Sequence, residues 1–388
     1  MKKTIFITVI ILSILIIVSV FIYLFMFGKP KDTNEVFTHF GLGNNSVVHE
    51  NNQNPITPSS NFESVVNTHS SRLQQITTRP VAGAYATDEI IRYIEQGTGH
   101  IYEINIKTGE ETLEGSATIP QTNEAVFSPD GTWVAITSLS ALGTETIVSA
   151  IGARNTAKGI SLPHNATEVA FTTDSSELYY LTENENGSIG YRYNLKSQTS
   201  IALFSIPIRD IRVLWGTPIY VYTTPTSKQT GYMYKIGPKS ALEYVTEGMP
   251  GLLGFRYAGG IILTSVTDKK NIFRAIQNDG SIIEQAIPIM HEKCVEIYAS
   301  NNLIICAMPK DMHSGVFPDD WYMGNVSFSD TLLSINVNSG EATFLIDLLE
   351  ESGQEIDVSR IGISESGSLI YLINKNDNAL WLYDRRVP

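Results

Sequence analysis

Catalytic signatures are missing from this chain of 388 residues. It has no G-x-S-x-G elbow, no H-E-x-x-H pair, no G-x-x-x-x-G-K-[ST] loop and no dinucleotide fingerprint. Those absences remove the motif-borne routes to serine hydrolysis, zinc catalysis and nucleotide chemistry. Histidine is scarce: of seven, His39, His49 and His69 precede residue 72 and the rest stand singly. A lone His100 or His164 reads as a structural or surface residue rather than a ligand. The tract Glu183 to Ser188 offers oxygen donors without calcium-loop spacing, and Asn374, Asn376, Asp377 and Asn378 likewise read as a solvated turn. No metal and no cofactor is expected. Basic residues are outnumbered, 27 Lys and Arg against 40 Asp and Glu, for a net charge of −13. Residues 1–71 hold four of each sign, so the whole excess falls on residues 72–388. An acidic body of this kind is repelled by nucleic-acid phosphates and by anionic lipid.

What is present is unevenly placed. Thr4 to Phe27 is a run of 24 residues without a charge. As a helix it would be about 36 Å long, enough to cross a bilayer core of roughly 30 Å with some tilt. Signal-peptide cores are shorter, about 7–15 residues, and end at small residues. Here the run ends at Phe25-Met26-Phe27-Gly28-Lys29, with no A-x-A site and no nearby cysteine. Residues 1–28 are therefore expected to be an uncleaved transmembrane anchor. Lys2 and Lys3 flank one end, Lys29 and Lys31 the other, so the positive-inside count barely discriminates. The expected arrangement is a cytoplasmic amino terminus and an extracytoplasmic main domain, in a periplasm or at a cell surface. Residues 29–71 read as a flexible linker, rich in Asn, Ser and Thr, with Pro30, Pro55 and Pro58 and no sustained periodicity.

From Arg72 onward, short alternating runs are separated by turn-like breaks. Ser128-Pro129-Asp130-Gly131 is the clearest, and weaker breaks recur at Asp88, Ser175, Gly216, Gly259 and Asn301. Counted through Gly131, the spacings are 43, 44, 41, 43 and 42 residues, and Gly367 follows 66 residues later. A period in the low forties is the length of one four-stranded propeller blade. Seven breaks predict an all-β, seven-bladed propeller over residues 72–388. Asn-Asp-Gly at 278–280 and Asn-Ser-Gly at 338–340 follow alternating runs as hairpin turns should. A short helical turn is expected at Leu348 to Ser352. After Ala379–Asp384 too little chain remains for a last outer strand, so Leu73–Thr77 is expected to supply it, closing the ring and hiding two sheet edges. Cys294 and Cys306 flank the break at Asn301, where a hairpin would set them opposite each other. A disulfide is possible there outside the cytoplasm. Two buried thiols acting as small apolar residues are the preferred reading.

Glu124-Ala125-Val126-Phe127 before the clearest turn, with Trp133-Val134-Ala135-Ile136 after it, resembles the repeat of TolB-type bacterial β-propellers. In that repeat Pro pre-sets the turn, Asp bonds its own backbone and Gly relieves a positive φ. Val169 to Ser175 and Ile361 to Gly367 are degenerate versions, and the other four blades match in period only. A Gly-His…Trp-Asp signature is absent, so the eukaryotic WD-type repeat is a poorer match. The whole chain also resembles uncharacterised single-anchor bacterial propeller proteins, through Arg79 to Ala84 and Phe317 to Tyr322. That resemblance implies a membrane-tethered head with no established activity.

The long interval marks an insertion of about 23 residues, Met308 to Asp330, between expected strands Leu303–Ala307 and Thr331–Val337. Propeller topology puts it on the face shared with the segment Asp347 to Asp357. Phe317, Trp321 and Tyr322 set among Asp319, Asp320, Glu350 and Glu355 would form an aromatic patch with an acidic rim. Trp and Tyr are frequent binding anchors, and long loops on rigid scaffolds often carry function. The alternative is that Trp321 folds down as a plug. The expected function is a non-enzymatic, membrane-anchored interaction module for a protein or surface polymer. The alternative is a hydrolase or lyase acting on glycans or peptides, with Asp319 or Asp320 as acid–base. A calcium-binding or redox-sensing head has the least support.

Overall fold

The computed structural model describes residues 71–152, 159–266, 271–287, 289–297, 302–311 and 315–387. The expected anchor, the linker and the break at Asn301 lie outside the described residues. Among the described residues no helix is long and apolar enough to cross a membrane.

Seven antiparallel four-stranded sheets make up a β-propeller. Blade one shows the pattern, with strands a to d at Val81–Ala86, Ile90–Glu95, Ile101–Asn105 and Glu111–Gly115. Second strands are apolar on both faces because each blade is covered on both sides. In Ile90–Glu95, Ile91 and Tyr93 pack toward blade seven while Ile94 packs toward blade two. The core is thus a set of layers between neighbouring blades rather than one central mass. The breaks at Asp88, Gly131, Ser175, Gly216, Gly259 and Gly367 all fall between strand a and strand b of successive blades.

Those turns also clasp blade to blade. Within the clearest one, the Ser128 hydroxyl donates to Asp130 at 2.6 Å and Gly131 sits at φ 67°. A Cβ at Gly131 would stand 2.3 Å from the Tyr85 ring of blade one, so only glycine fits. The Asp130 amide then donates to Ser175 Oγ of blade three at 3.2 Å. Between blades seven and one the same role falls to Asp88, which accepts from Ser364 at 2.8 Å and Ser366 at 2.6 Å.

Blade seven contains Val358–Ile363, Leu369–Asn374 and Leu380–Asp384. Its fourth strand is Leu73–Thr77, antiparallel to Leu380–Asp384 with Leu73 opposite Tyr383 and Gln75 opposite Trp381. Leu73 is buried in the layer shared by blades six and seven.

In blade six, strand a is Cys294–Glu296 and strand b is Leu303–Pro309. Cys294 faces Cys306 in the register and the two are joined as a disulfide. The preferred reading of two thiols is corrected: the hairpin brings the sulfurs within bonding distance, and no described cysteine is free. Strand c is Asp330–Asn336, and pairing of Pro309 with Asp330 extends the ladder beyond the expected strand ends. The insertion proper is therefore shorter than expected, spanning residues 310–329. It holds a one-turn helix, α1, at Asp319–Tyr322. A second short helix, α2, occupies Leu348–Ser352 after strand d, with Asp347 accepting from the Leu349 and Glu350 amides as its N-cap.

Leu73→Ala should lower the unfolding free energy by about 2–5 kcal/mol, as for other buried leucines. Chemical denaturation checks this; an unchanged midpoint would mean that the first strand contributes no packing.

Candidate functional site

The insertion of blade six is built downward before it is built outward. Phe317 and Trp321 are each only 3% exposed and pack with Leu253, Met290 and Phe328 in a small cluster of their own. Sequence pattern explains this: aromatic side chains on a short loop bury area that no strand of the insertion could cover. Beneath them lies a charged group fully removed from water. Lys293 Nζ donates to Asp330 Oδ2 and to Asp357 Oδ1, both at 2.6 Å, and all three side chains are 0% exposed. Trp321 Nε1 donates to both Asp357 oxygens at 3.1 and 3.0 Å. The Lys293 ammonium also lies 5.3 Å from the Trp321 ring centre and 5.0 Å from that of Phe328. The Val358 amide donates to Asp330 Oδ2 at 2.8 Å, and the Asp357 amide donates to Asn374 Oδ1 at 3.1 Å. Burial pushes the Asp330 carboxyl up to about 6, against the pull of Lys293.

The outer part of the insertion reaches sideways. Asp319 accepts from Thr226 Oγ1 and from the Ser227 amide, both at 2.7 Å, and from the Ser227 hydroxyl. Thr226 and Ser227 lie between strands b and c of blade four, Tyr220–Thr223 and Met233–Ile236, so α1 bridges blade six to blade four. Asp320 closes its own loop, accepting from the Val316 amide at 2.7 Å and from Asn325 Nδ2 at 3.1 Å. Asp319 and Asp320, either of which is the expected acid–base group, both accept hydrogen bonds that hold the insertion in place. Glu350 and Glu355 are exposed on and after α2, and Glu351 pairs with Arg72 at 3.1 Å. The described contacts do not bring Glu350 or Glu355 to the aromatic tract.

What the insertion displays is Tyr322, 40% exposed, with Val316 at 49% and Met323 at 62%. The Tyr322 hydroxyl donates to Glu292 in the 3-10 turn His291–Lys293. Burial alone would raise the Glu292 carboxyl, but His291 and the Tyr322 hydroxyl outweigh it and hold it below the usual range. Burial, then Glu292, pushes the Tyr322 hydroxyl far above an ordinary phenol. Tyr222 and Arg212 of blade four act electrostatically on the same hydroxyl. Arg212 pairs with Glu168 of blade three at 2.8 Å. Glu168 holds a left-handed backbone, φ 52°, and also accepts from the Val213 amide at 3.0 Å. Elsewhere on the inner strands, Arg360 of blade seven donates to the carbonyls of Ala82 and Ala125 at 3.1 Å and pairs with Glu124 at 2.7 Å. Glu292, Arg212, Glu168, Arg360 and Glu124 thus each meet a protein partner.

From the sequence Asp357 is a candidate only as a carboxylate facing Asp319 or Asp320, and Lys293, Asp330, Glu292, Arg212 and Glu168 are not singled out at all. One signal was available: Ile356-Asp357-Val358 and Phe328-Ser329-Asp330 set carboxylates among apolar residues where strands begin, a context that buries them. Among the described residues no group of three or more His, Cys, Asp or Glu is placed to hold a metal.

Burial alone would raise the Asp319 carboxyl, but the donors on Ser227 and Thr226 hold it below the usual range. Its folded pKa is depressed, so its contribution is complete above the unfolded value of about 3.9 and is lost as pH falls through the folded one. Asp319→Asn should cost about 1–2 kcal/mol at neutral pH and flatten the acid limb of the stability–pH curve. Denaturation from about pH 2 to 7 reads both effects; an unaltered acid limb would separate Asp319 from the anchoring of α1.

No family model and no curated protein matches the chain. Solved structures do match it. The β-propeller domain of the Trilobed protease from Pyrococcus furiosus superposes with a TM-score of 0.53 at 13% identity, covering 79% of this chain and 95% of that one. Oligogalacturonate lyase from Vibrio parahaemolyticus gives 0.52 at 9% identity, covering 80% and 93%. Virginiamycin B lyase from Staphylococcus aureus gives 0.52 at 13% identity, covering 80% and 98%. At such identities the likeness is one of fold: this chain shares the seven-bladed β-propeller with proteins of unlike chemistry.

Proposed function

We propose that this chain is a binding propeller, tethered to a membrane through residues 1–28 and displayed outside the cytoplasm, that recognises a protein or surface polymer through Tyr322, Met323 and Val316. One observation carries the reading. The insertion is fixed at its base by Trp321 on Asp357 and at its side by Asp319 on blade four, yet it leaves three sizeable apolar or aromatic side chains in solvent. A rigid loop with exposed anchors loses little entropy on binding. The disulfide between Cys294 and Cys306 supports an oxidising compartment, as does the uncharged run from Thr4 to Phe27.

The second reading is a hydrolase or lyase acting on glycans or peptides. One observation favours it: the Tyr322 hydroxyl on Glu292, with Arg212 acting on it, sets a phenol, a carboxylate and a guanidinium in one neighbourhood. Asp319 is engaged with Thr226 and Ser227 of blade four and Asp320 with its own loop, so the first candidate under that reading is Glu292.

Joint replacement of Tyr322 and Met323 by alanine should weaken binding to cell-envelope fractions about 30-fold, the effect of losing roughly 2 kcal/mol of anchor contacts, while stability falls only by about 1.5–3 kcal/mol, the contribution of the hydrogen bond to Glu292. Trp321→Ala should instead cost about 3–5 kcal/mol of stability. Equal retention by the wild type and the double variant would end the binding reading, and turnover of a glycan or peptide that Glu292→Gln abolishes would install the enzymatic one.

A further inference from the structure

The group beneath the insertion holds more chemistry than an ion pair uses. One ammonium and two carboxylates are sealed from water at 0% exposure, leaving an excess negative charge that burial strongly disfavours. Asp330 Oδ1 is buried with no hydrogen-bond partner, although Oδ2 of the same group accepts from Lys293 and Val358. Asp357 is differently held: the Trp321 indole orients both its oxygens, and Lys293 donates to one of them. The two carboxylates are therefore not equivalent.

We propose that Lys293 and Asp330 condense to an intramolecular side-chain amide, with Asp357 as the base, so that a covalent bond joins the start of strand a to the start of strand c in blade six. This inference does not rest on the binding function. The roles follow from the contacts. Val358 N–H polarises the Asp330 C–Oδ2 bond as an oxyanion donor would. Oδ1, which accepts nothing, is the oxygen free to leave. Lys293 Nζ is held at 2.6 Å from Oδ2, one bond from the carbon it would attack, and reacting groups fixed in this way behave as if at very high concentration. Burial favours the acid form of Asp330 that amide formation requires.

The balance closes without an added reagent. The Lys293 ammonium gives one proton to the Asp357 carboxylate, and the freed amine adds to Cγ of the protonated Asp330. Asp357 passes its proton to Oδ1, the C–Oδ1 bond breaks and one water departs. The nitrogen then releases a second proton to Asp357, which ends neutral beside a neutral amide. Nothing is oxidised or reduced, and condensation removes the buried charges.

Peptide mapping of the full chain tests this after reduction, alkylation and trypsin digestion. The expected product is a branched species in which 275–310, uncleaved at Lys293, is joined to 311–360, lighter than the two peptides together by one water. Near-complete cleavage at Lys293, with peptides at their sequence masses, overturns the proposal, and a bond located by fragmentation at Asp357 overturns the assignment of roles. Asp357→Asn should abolish the branched species; its persistence in that variant would remove Asp357 as base. The wild-type map decides the central claim even where a variant fails to fold.

Discussion

A positively charged side chain that cannot reach water dictates much of this structure. Lys293 stands at the entrance to the inner strand of blade six, and burying it demands carboxylates at fixed places. Asp330 begins strand c of the same blade and Asp357 precedes strand a of the next, so one ammonium sets the relation of two blades. Removing one member of such a group typically costs about 3–5 kcal/mol, since the others remain buried without their counter-charge. Trp321 is drawn down by the same demand, because the Asp357 carboxylate offers its indole N–H an acceptor inside the fold. The insertion thus inherits its position from the charges beneath it.

Around the rest of the ring the joining is done more cheaply and more often. Two of the turns between strands a and b carry short polar side chains that tie neighbouring blades, Asp88 with Ser364 and Ser366 and Asp130 with Ser175. The layers between blades supply non-directional attraction, and the turns supply register. Arg360 adds a longer connection, reaching the backbone of blades one and two from blade seven.

The ring was legible because its repeat is a matter of local chemistry. Asp88, Gly131, Ser175, Gly216, Gly259 and Gly367 mark turns wherever they fall in space, and the apolar runs between them are long enough only for strands. Leu348–Ser352 was legible as helix for the same reason, with Asp347 ready to cap it. The site was not, because its geometry depends on contacts between segments far apart in the chain. Nothing near Asp319 reveals that Thr226 and Ser227 will meet it, some 92 residues away. Glu350 and Glu355 lie close to the insertion by topology, yet facing direction decides contact, and theirs is outward. The cysteines stood between: their spacing gave the hairpin, while only the facing register at Cys294 and Cys306 decides whether sulfurs meet.

Because α1 is rooted in blade six, packs in one cluster with Leu253 of blade five and is moored to blade four, one short loop engages three consecutive sheets. Drawing blade six away from blade four would have to break the contacts of Asp319 with Thr226 and Ser227.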